Sequence, residues 1–158
     1  MNPDPLHLLH IGLEDRPGAV HAVAEVFSGR GLQMEALHGS AGALCPDGLA
    51  VALILFRAQP ERAGLIARVL RRLSMVRSVE LLAGDDPRLL CFCLVAAAAA
   101  APAPGLAFLP LPDGLFLAYG RAAAVVAWRE HAQILSPLRP EILPETGGSS
   151  PRDKGSKS

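Results

Sequence analysis

The chain lacks several features that would place it in a common class of protein. Its 158 residues carry 15 basic and 15 acidic side chains, so no basic surplus favours nucleic acid or an anionic membrane surface. Aromatic residues make up only 4%, so the core must be built from aliphatic side chains. Lysine occurs only at Lys154 and Lys157. With 51% hydrophobic residues, the composition is nevertheless that of a folded chain.

Cysteine is scarce as well. Cys45, Cys91 and Cys93 are an odd number and too few for a secreted disulfide scaffold. No basic segment precedes an apolar run at the amino terminus, so we expect no signal peptide and a cytoplasmic location. Residues 89–112 carry no charge and could span a bilayer, but prolines and a glycine interrupt them from residue 102 onward. We therefore favour buried strands and no membrane association.

Catalytic and cofactor motifs are missing too. The sequence contains no GxGxxG, GxxxxGK[ST], GxSxG or HExxH pattern. Cys91 and Cys93 share one face of a predicted strand, but no further ligands complete a metal site, so burial is the better interpretation. His7 and His10 are three residues apart on a strand and point to opposite faces. The sequence thus predicts no catalytic residue, no metal and no cofactor.

Hydrophobic periodicity predicts a β-α-β-β-α-β order over residues 4–84. Alternate side chains of Leu6–Leu13 share one face, the period of a strand, and an apolar stripe at helical spacing follows. The remaining predicted elements are strands over Gln33–Ser40 and Leu49–Phe56, a helix opening at Pro60 and a strand over Val76–Leu82. This order predicts an α+β, ferredoxin-like fold, with two helices on one face of a four-stranded antiparallel sheet.

Residues 87–146 repeat this plan imperfectly. A strand over Leu89–Val95 leads into six alanines and a Pro-rich segment, where the first helix of the unit would be due. The following predicted elements are a hairpin of Leu106–Leu111 and Leu115–Tyr119, a helix over Ala122–Leu135 and a short strand over Glu141–Leu143. We therefore expect a second, degenerate ferredoxin-like unit. Residues 147–158 contain no apolar side chain and are predicted to be a disordered tail.

The junction between the first strand and the first helix is the strongest candidate site. A helix amino terminus presents unpaired N–H groups that favour a carboxylate, and Gly18 lets a ligand approach the backbone. Asp15 beside it could accept a hydrogen bond from an ammonium group. The segment therefore suits a zwitterionic amino acid, although an ordinary Asp-x-Pro-Gly helix start would have the same sequence.

The same segment resembles the ACT domain, and within it the small, regulatory subunit of acetolactate synthase. The Pro17-Gly18-Ala19, Phe27-Ser28-Gly29-Arg30-Gly31 and Glu35-Ala36-Leu37 elements stand at the spacing of that family. Pro112-Asp113-Gly114 and Leu138-Arg139-Pro140 resemble its later hairpin and its closing segment, so the likeness covers nearly the whole chain.

The resemblance implies an effector site of Asp15, Pro17, Gly18, Ala19 and Gln33 at the contact between two chains of a homodimer. It also implies a non-catalytic subunit that senses a branched-chain amino acid and modulates the thiamine-diphosphate-dependent large (catalytic) subunit of acetolactate synthase. Asp15 and Gln33 replace two asparagines of the family, which puts effector binding in doubt. The alternative is a free-standing ACT module that regulates another enzyme.

Overall fold

A computed structural model describes residues 4–41, 49–97, 103–129, 135–136 and 138–143. In chain order its elements are β1 (Leu6–Glu14), α1 (Ala19–Ser28), β2 (Met34–Ser40), β3 (Leu49–Arg57), α2 (Pro60–Leu70), β4 (Val76–Ala83), β5 (Leu89–Ala96), β6 (Leu106–Pro110), β7 (Leu115–Arg121), α3 (Ala122–Arg129) and β8 (Arg139–Ile142). The strands form two antiparallel sheets of four. The predicted α+β, ferredoxin-like architecture is confirmed.

The first sheet has the strand order β2-β3-β1-β4. Because side chains alternate along a strand, β1 sends Leu9, Ile11 and Leu13 to the face that α1 and α2 cover. There they pack in a first core that includes Phe27 of α1 and Ile66 of α2, all at most 1% exposed. Both helices therefore lie on one face of the sheet, as the periodicity of the sequence predicts.

The two helices of the first sheet begin differently. Helix α1 begins at Ala19, and its N-cap is Gly18 in the left-handed conformation, with φ +87°. No side chain caps the helix, so Asp15 is not the cap that an Asp-x-Pro-Gly start suggests. Pro17 lies before the helix and not in its first turn. Helix α2 does carry its proline in the first turn, at Pro60, where a missing N–H costs nothing.

The second sheet has the order β6-β7-β5-β8, which repeats the order of the first. Its hairpin turns through Pro112–Gly114, where Asp113 and Gly114 both have positive φ. The described part of the chain between β5 and β6 contains no α-helix. Within the described residues, α3 is therefore the one α-helix that packs on this sheet. The alanine-rich residues 98–102 and the predicted tail at 147–158 lie outside the described residues.

The two sheets share a second core. Leu8 and Leu55 point away from α1 and α2, and they pack with Cys91 and Cys93 of β5 and with Val125 of α3. All five side chains are at most 1% exposed. The open face of the first sheet is thus buried by the second sheet and its helix. The predicted elements match those observed to within one or two residues, although the predicted helix over 122–135 is described only as far as Arg129.

Candidate functional site

A shallow cavity of about 290 Å³ lies where β1 passes into α1. We call it the β1–α1 cavity. It is lined by the end of β1, the start of α1, the end of β2 and the start of β3: Glu14, Asp15, Arg16, Ala19, Val20, Gly39, Ser40, Ala41, Ala50 and Val51. Asp15 and Ala19 of the predicted site are therefore brought together, and both the acidic side chain and the helix start face one space.

The charges at this cavity are organised around Glu14. Its carboxylate accepts from Arg16, with Nε 2.9 Å from Oε2, and from the guanidinium of Arg77. Two cations thus flank one anion, with Asp15 as a second carboxylate at the rim. The rim therefore offers both signs of charge, which suits a ligand that carries an ammonium and a carboxylate.

Gly18 lies exposed at the amino end of α1, as the predicted site requires. The first hydrogen bond of the helical pattern runs from the Ala22 N–H to the Gly18 carbonyl, at 3.0 Å. The N–H groups of Val20 and His21 precede that bond and form the positive end of the helix. Apart from atoms of Gly18 and its two chain neighbours, no heavy atom of the described residues lies within 4 Å of the position where a Cβ of residue 18 would stand. The backbone here is open to a small ligand.

Pro17 and Gly18 lie between Asp15 and Ala19 in the chain and do not line the β1–α1 cavity themselves. Gln33 is not part of this cavity either. It precedes β2, whose first residue Met34 lies beside Phe56, whereas Ser40 at the other end lies beside Val51. Seven residues of a strand span about 23 Å, so within one chain Gln33 and Asp15 lie at opposite ends of the sheet. Gln33 instead lines a separate cavity that Arg57, Arg62 and Arg129 also line.

Several residues of the cavity were not predicted from the sequence. Gly39, Ser40, Ala50 and Val51 line it because the β2–β3 register sets the end of β2 beside the start of β3. The alternation of apolar residues could have indicated that register, since β3 must place Ala52 and Ile54 toward the helices. The pairing of Glu14 with Arg77 had no such indication, because 63 residues separate the two.

The remaining polar candidates have structural roles. Burial raises the pKa of the Cys91 thiol to about 12 and also raises that of Cys93, so both stay protonated and unreactive at neutral pH. His7 is buried, with Nε2 3.0 Å from the Ala58 carbonyl, and His10 lies 3.7 Å from Glu80 on the opposite face. The described residues contain no cluster of metal ligands. None of their helices has the length and apolar character that crossing a membrane requires.

The described residues form two four-stranded β-sheets of identical strand order, the first with two α-helices and the second with one within those residues. No protein-family model matches the chain, and no curated protein matches it significantly in sequence. Solved structures do match. The acetolactate synthase small subunit from Thermotoga maritima aligns at TM-score 0.54 and 15% identity, over 89% of this chain and 99% of that chain. The chain therefore has the fold of an acetolactate synthase small subunit, which confirms the predicted resemblance at the level of the fold.

Two further structures align less closely. The regulatory subunit of aspartate kinase from Thermus thermophilus, in a ligand-free form, has a TM-score of 0.44 and 16% identity over 83% of this chain. The protein BT0572 from Bacteroides thetaiotaomicron has a TM-score of 0.41 and 12% identity over 85% of this chain.

Proposed function

We propose that the chain is a non-catalytic regulatory subunit that binds a branched-chain amino acid and modulates the large, catalytic subunit of a thiamine-diphosphate-dependent acetolactate synthase. The observation that carries the proposal is the shared two-sheet architecture, which extends over 89% of this chain and 99% of the Thermotoga small subunit. The charged rim of the β1–α1 cavity and the open backbone of the neighbouring Gly18 support an amino-acid site at this junction.

A homodimer through β2 would complete that site. Strand β2 is an edge strand with β3 as its one neighbour in the sheet. Two such edges paired antiparallel about a twofold axis place the start of one β2 beside the end of the other, so Gln33 of the second copy would approach Asp15 and Gly18 of the first. Leu37 of β2 and Val20 of α1 are 45% and 44% exposed, and the pairing would cover them.

Light scattering at micromolar concentration tests for the dimer; a clean monomer would contradict it.

Thermal unfolding with valine, leucine and isoleucine tests the amino-acid site. A ligand at a hundred times its Kd stabilises the folded state by about 2.7 kcal/mol, which is worth roughly 5–10 °C for a chain of this size. We expect Gly18→Asp to abolish the response, because it places a carboxylate where the carboxylate of the ligand would lie. The new side chain would also be strained at the positive φ of this position.

Gly114→Asp is the matched control. Gly114 has φ +72° and, like Gly18, no heavy atom near its missing Cβ, but it lies in the β6–β7 turn. The control should lose similar stability and keep the thermal shift. No shift with millimolar concentrations of any of the three amino acids would mean that Asp15 and Gln33 have silenced sensing.

The partner is tested by activity. Mixing the purified chain with the large subunit should raise its turnover of pyruvate, and the purified chain alone should turn over none. We place the contact on the outer face of the second sheet, opposite α3, where Leu109 and Tyr119 are 51% and 42% exposed and Phe92 is half-buried. We expect the Gly39–Gly48 loop, which is uncharged apart from Asp47, to contribute to this contact as well, and most of that loop lies outside the described residues. Co-purification with an unrelated enzyme, without effect on acetolactate formation, would instead support a free-standing regulatory module.

A further inference from the structure

A second cavity, of about 490 Å³, lies where α3 meets the first sheet. We call it the junction cavity. The start of β2, the end of β3, the start of α2 and the last turn of α3 line it: Asp4, Gly31, Leu32, Gln33, Met34, Glu35, Arg57, Arg62, Val126 and Arg129. It is separate from the β1–α1 cavity, since no residue lines both. Its volume is within the usual range for small-molecule sites.

The charges that line the junction cavity do not cancel. Three arginines face two carboxylates, Asp4 and Glu35. Glu35 accepts from Arg57 Nε at 2.8 Å, and the Asp4 Oδ1 accepts from Gln59 Nε2 at 2.6 Å. Both carboxylates therefore already have a donor, and one of the three guanidinium groups is neutralised.

The other two guanidinium groups have no carboxylate partner within the described ranges. Arg62 donates to the backbone carbonyl of Arg30, and no ion pair of Arg129 is found there. They come from α2 and α3, elements that belong to different sheets. A planar guanidinium donates two parallel hydrogen bonds to a carboxylate, so two guanidinium groups that line one cavity from different helices offer directional donors to an anion.

An apolar wall completes the junction cavity. Val126 is buried, and Leu32 and Met34 are half-buried at its edge. An inorganic anion would leave this wall in contact with water. A ligand that combines a carboxylate with a short aliphatic body would cover the wall and meet the arginines at the same time.

We propose that the junction cavity binds a small organic carboxylate with a short aliphatic body, held by Arg62 and Arg129. The site needs no ammonium group on the ligand and no second copy of the chain. Within one chain it is separate from the amino-acid site at Gly18, and in the proposed dimer the two sites would have Gln33 in common. A ligand in the junction cavity would bridge the two sheets of one chain.

Titration calorimetry of the full chain with 3-methylbutanoate tests the proposal, and 3-methylbutanamide is the matched probe without charge. We expect saturable binding of the acid at one site per chain and none of the amide. Arg62→Ala and Arg129→Ala should each raise Kd by about tenfold or more, the usual effect of losing a charged hydrogen bond. Both side chains are exposed, so both variants should fold. Arg121→Ala, which removes an exposed arginine that does not line the cavity, should leave Kd unchanged.

The proposal would be overturned by no saturable binding, by equal binding of the amide, by equal loss in Arg121→Ala, or by equally tight binding of sulfate. The Gly18→Asp variant separates this site from the proposed amino-acid site. If that variant loses 3-methylbutanoate, the acid was bound at the helix start and the junction site is wrong. If valine gives no response while the acid still binds through Arg62 and Arg129, the proposed amino-acid site fails and the junction site stands.

Discussion

The two sheets have the same strand order and are covered in different ways. The first sheet is buried on both faces, by α1 and α2 on one side and by the second sheet and α3 on the other. Within the described part of the chain, the second sheet is fully buried on the face of Cys91 and Cys93 alone. On its outer face Leu90, Phe92 and Leu94 are half-buried.

This difference shows that two sheets of the same topology can depend on each other for their stability to different degrees. The first core is complete within β1–β4, α1 and α2. The second core is completed by side chains of the first sheet, which pack against the buried residues of β5 and of the short helix α3: Leu8, Leu53, Leu55 and Leu82. We infer that the second sheet depends on the first for its stability, and that the reverse dependence is weaker.

Two neighbouring leucines of β1 should separate these dependences, and they carry the largest expected effect. Leu9 faces the first core and Leu8 the second, and both are fully buried. Either leucine-to-alanine change should cost about 2–5 kcal/mol, through lost burial and the cavity left behind. Leu9→Ala should destabilise the whole chain, whereas Leu8→Ala should loosen chiefly the second sheet.

The sole tryptophan gives the readout for this pair. Trp128 of α3 lies edge-on to Phe108 of β6, with ring centroids 5.6 Å apart, so its fluorescence reports on the second sheet. In Leu8→Ala the fluorescence midpoint should fall below the far-ultraviolet dichroism midpoint. In Leu9→Ala the two should coincide. Coincident midpoints in both variants would mean that the two sheets unfold as one unit.

The second prediction concerns local opening in the unmodified chain. Amides of β5 and β7 should exchange with solvent faster than those of β1 and β3, because fewer elements cover the second sheet. Cys91 and Cys93 offer an independent measure in a Cys45→Ser background. Burial keeps both thiols protonated, so a thiol reagent should modify them only through opening. Slower exchange in β5 and β7 than in β1 and β3 would reverse the order of stability.

Most helices and strands were predictable because the spacing of apolar residues within each short segment indicates its secondary structure. Alternation in β1 and the helical stripe of α1 each depend on a few adjacent residues. The helix start was predicted less well, since Gly18 caps α1 by its backbone conformation and Asp15 does not cap it. No local pattern distinguishes an aspartate that caps a helix from one that lies three residues before the cap.

The site was less predictable than the fold because it depends on contacts between distant residues. Asp15, Gly18 and Ala19 are adjacent in sequence and stay together in the structure. Gln33 comes close to them only if a second chain supplies it, which no single chain can show. The junction cavity could not be predicted at all, since Arg62 and Arg129 are 67 positions apart in sequence and come to line one cavity only through the fold.

A third, smaller effect should come from the aromatic contact within the second sheet. Phe108→Leu keeps an apolar side chain and removes the edge-on contact with Trp128, which is worth about 0.5–1.5 kcal/mol beyond burial. The loss should appear in the fluorescence midpoint and hardly in the exchange of β1 and β3. Phe92→Leu, on the half-buried outer face, is the control and should change the tryptophan signal less.

The smallest expected effect is a pH dependence at the connection between the sheets. Asp86 accepts from the Arg88 backbone N–H at 2.8 Å and from its guanidinium at 3.1–3.2 Å, and Arg88 also pairs with Glu80 of β4. The hydrogen bonds from Arg88 lower the pKa of Asp86 below its ordinary value of 3.8. Arg88 stays charged throughout this pH range because the pKa of a guanidinium lies far above it, and the two carboxylates raise that pKa further.

The sign follows from that lowered pKa. A carboxylate that is more acidic in the folded than in the unfolded chain stabilises the folded state above its unfolded pKa, and the contribution disappears as the pH falls through the folded value. Asp86→Asn should therefore be less stable than the unmodified chain between pH 5 and 7, with the difference closing below about pH 4. Urea midpoints measured from pH 7 to pH 2 would show it. A difference that stays constant over this range would mean that the amide is disfavoured for its shape and that the charge of Asp86 contributes nothing to joining the two sheets.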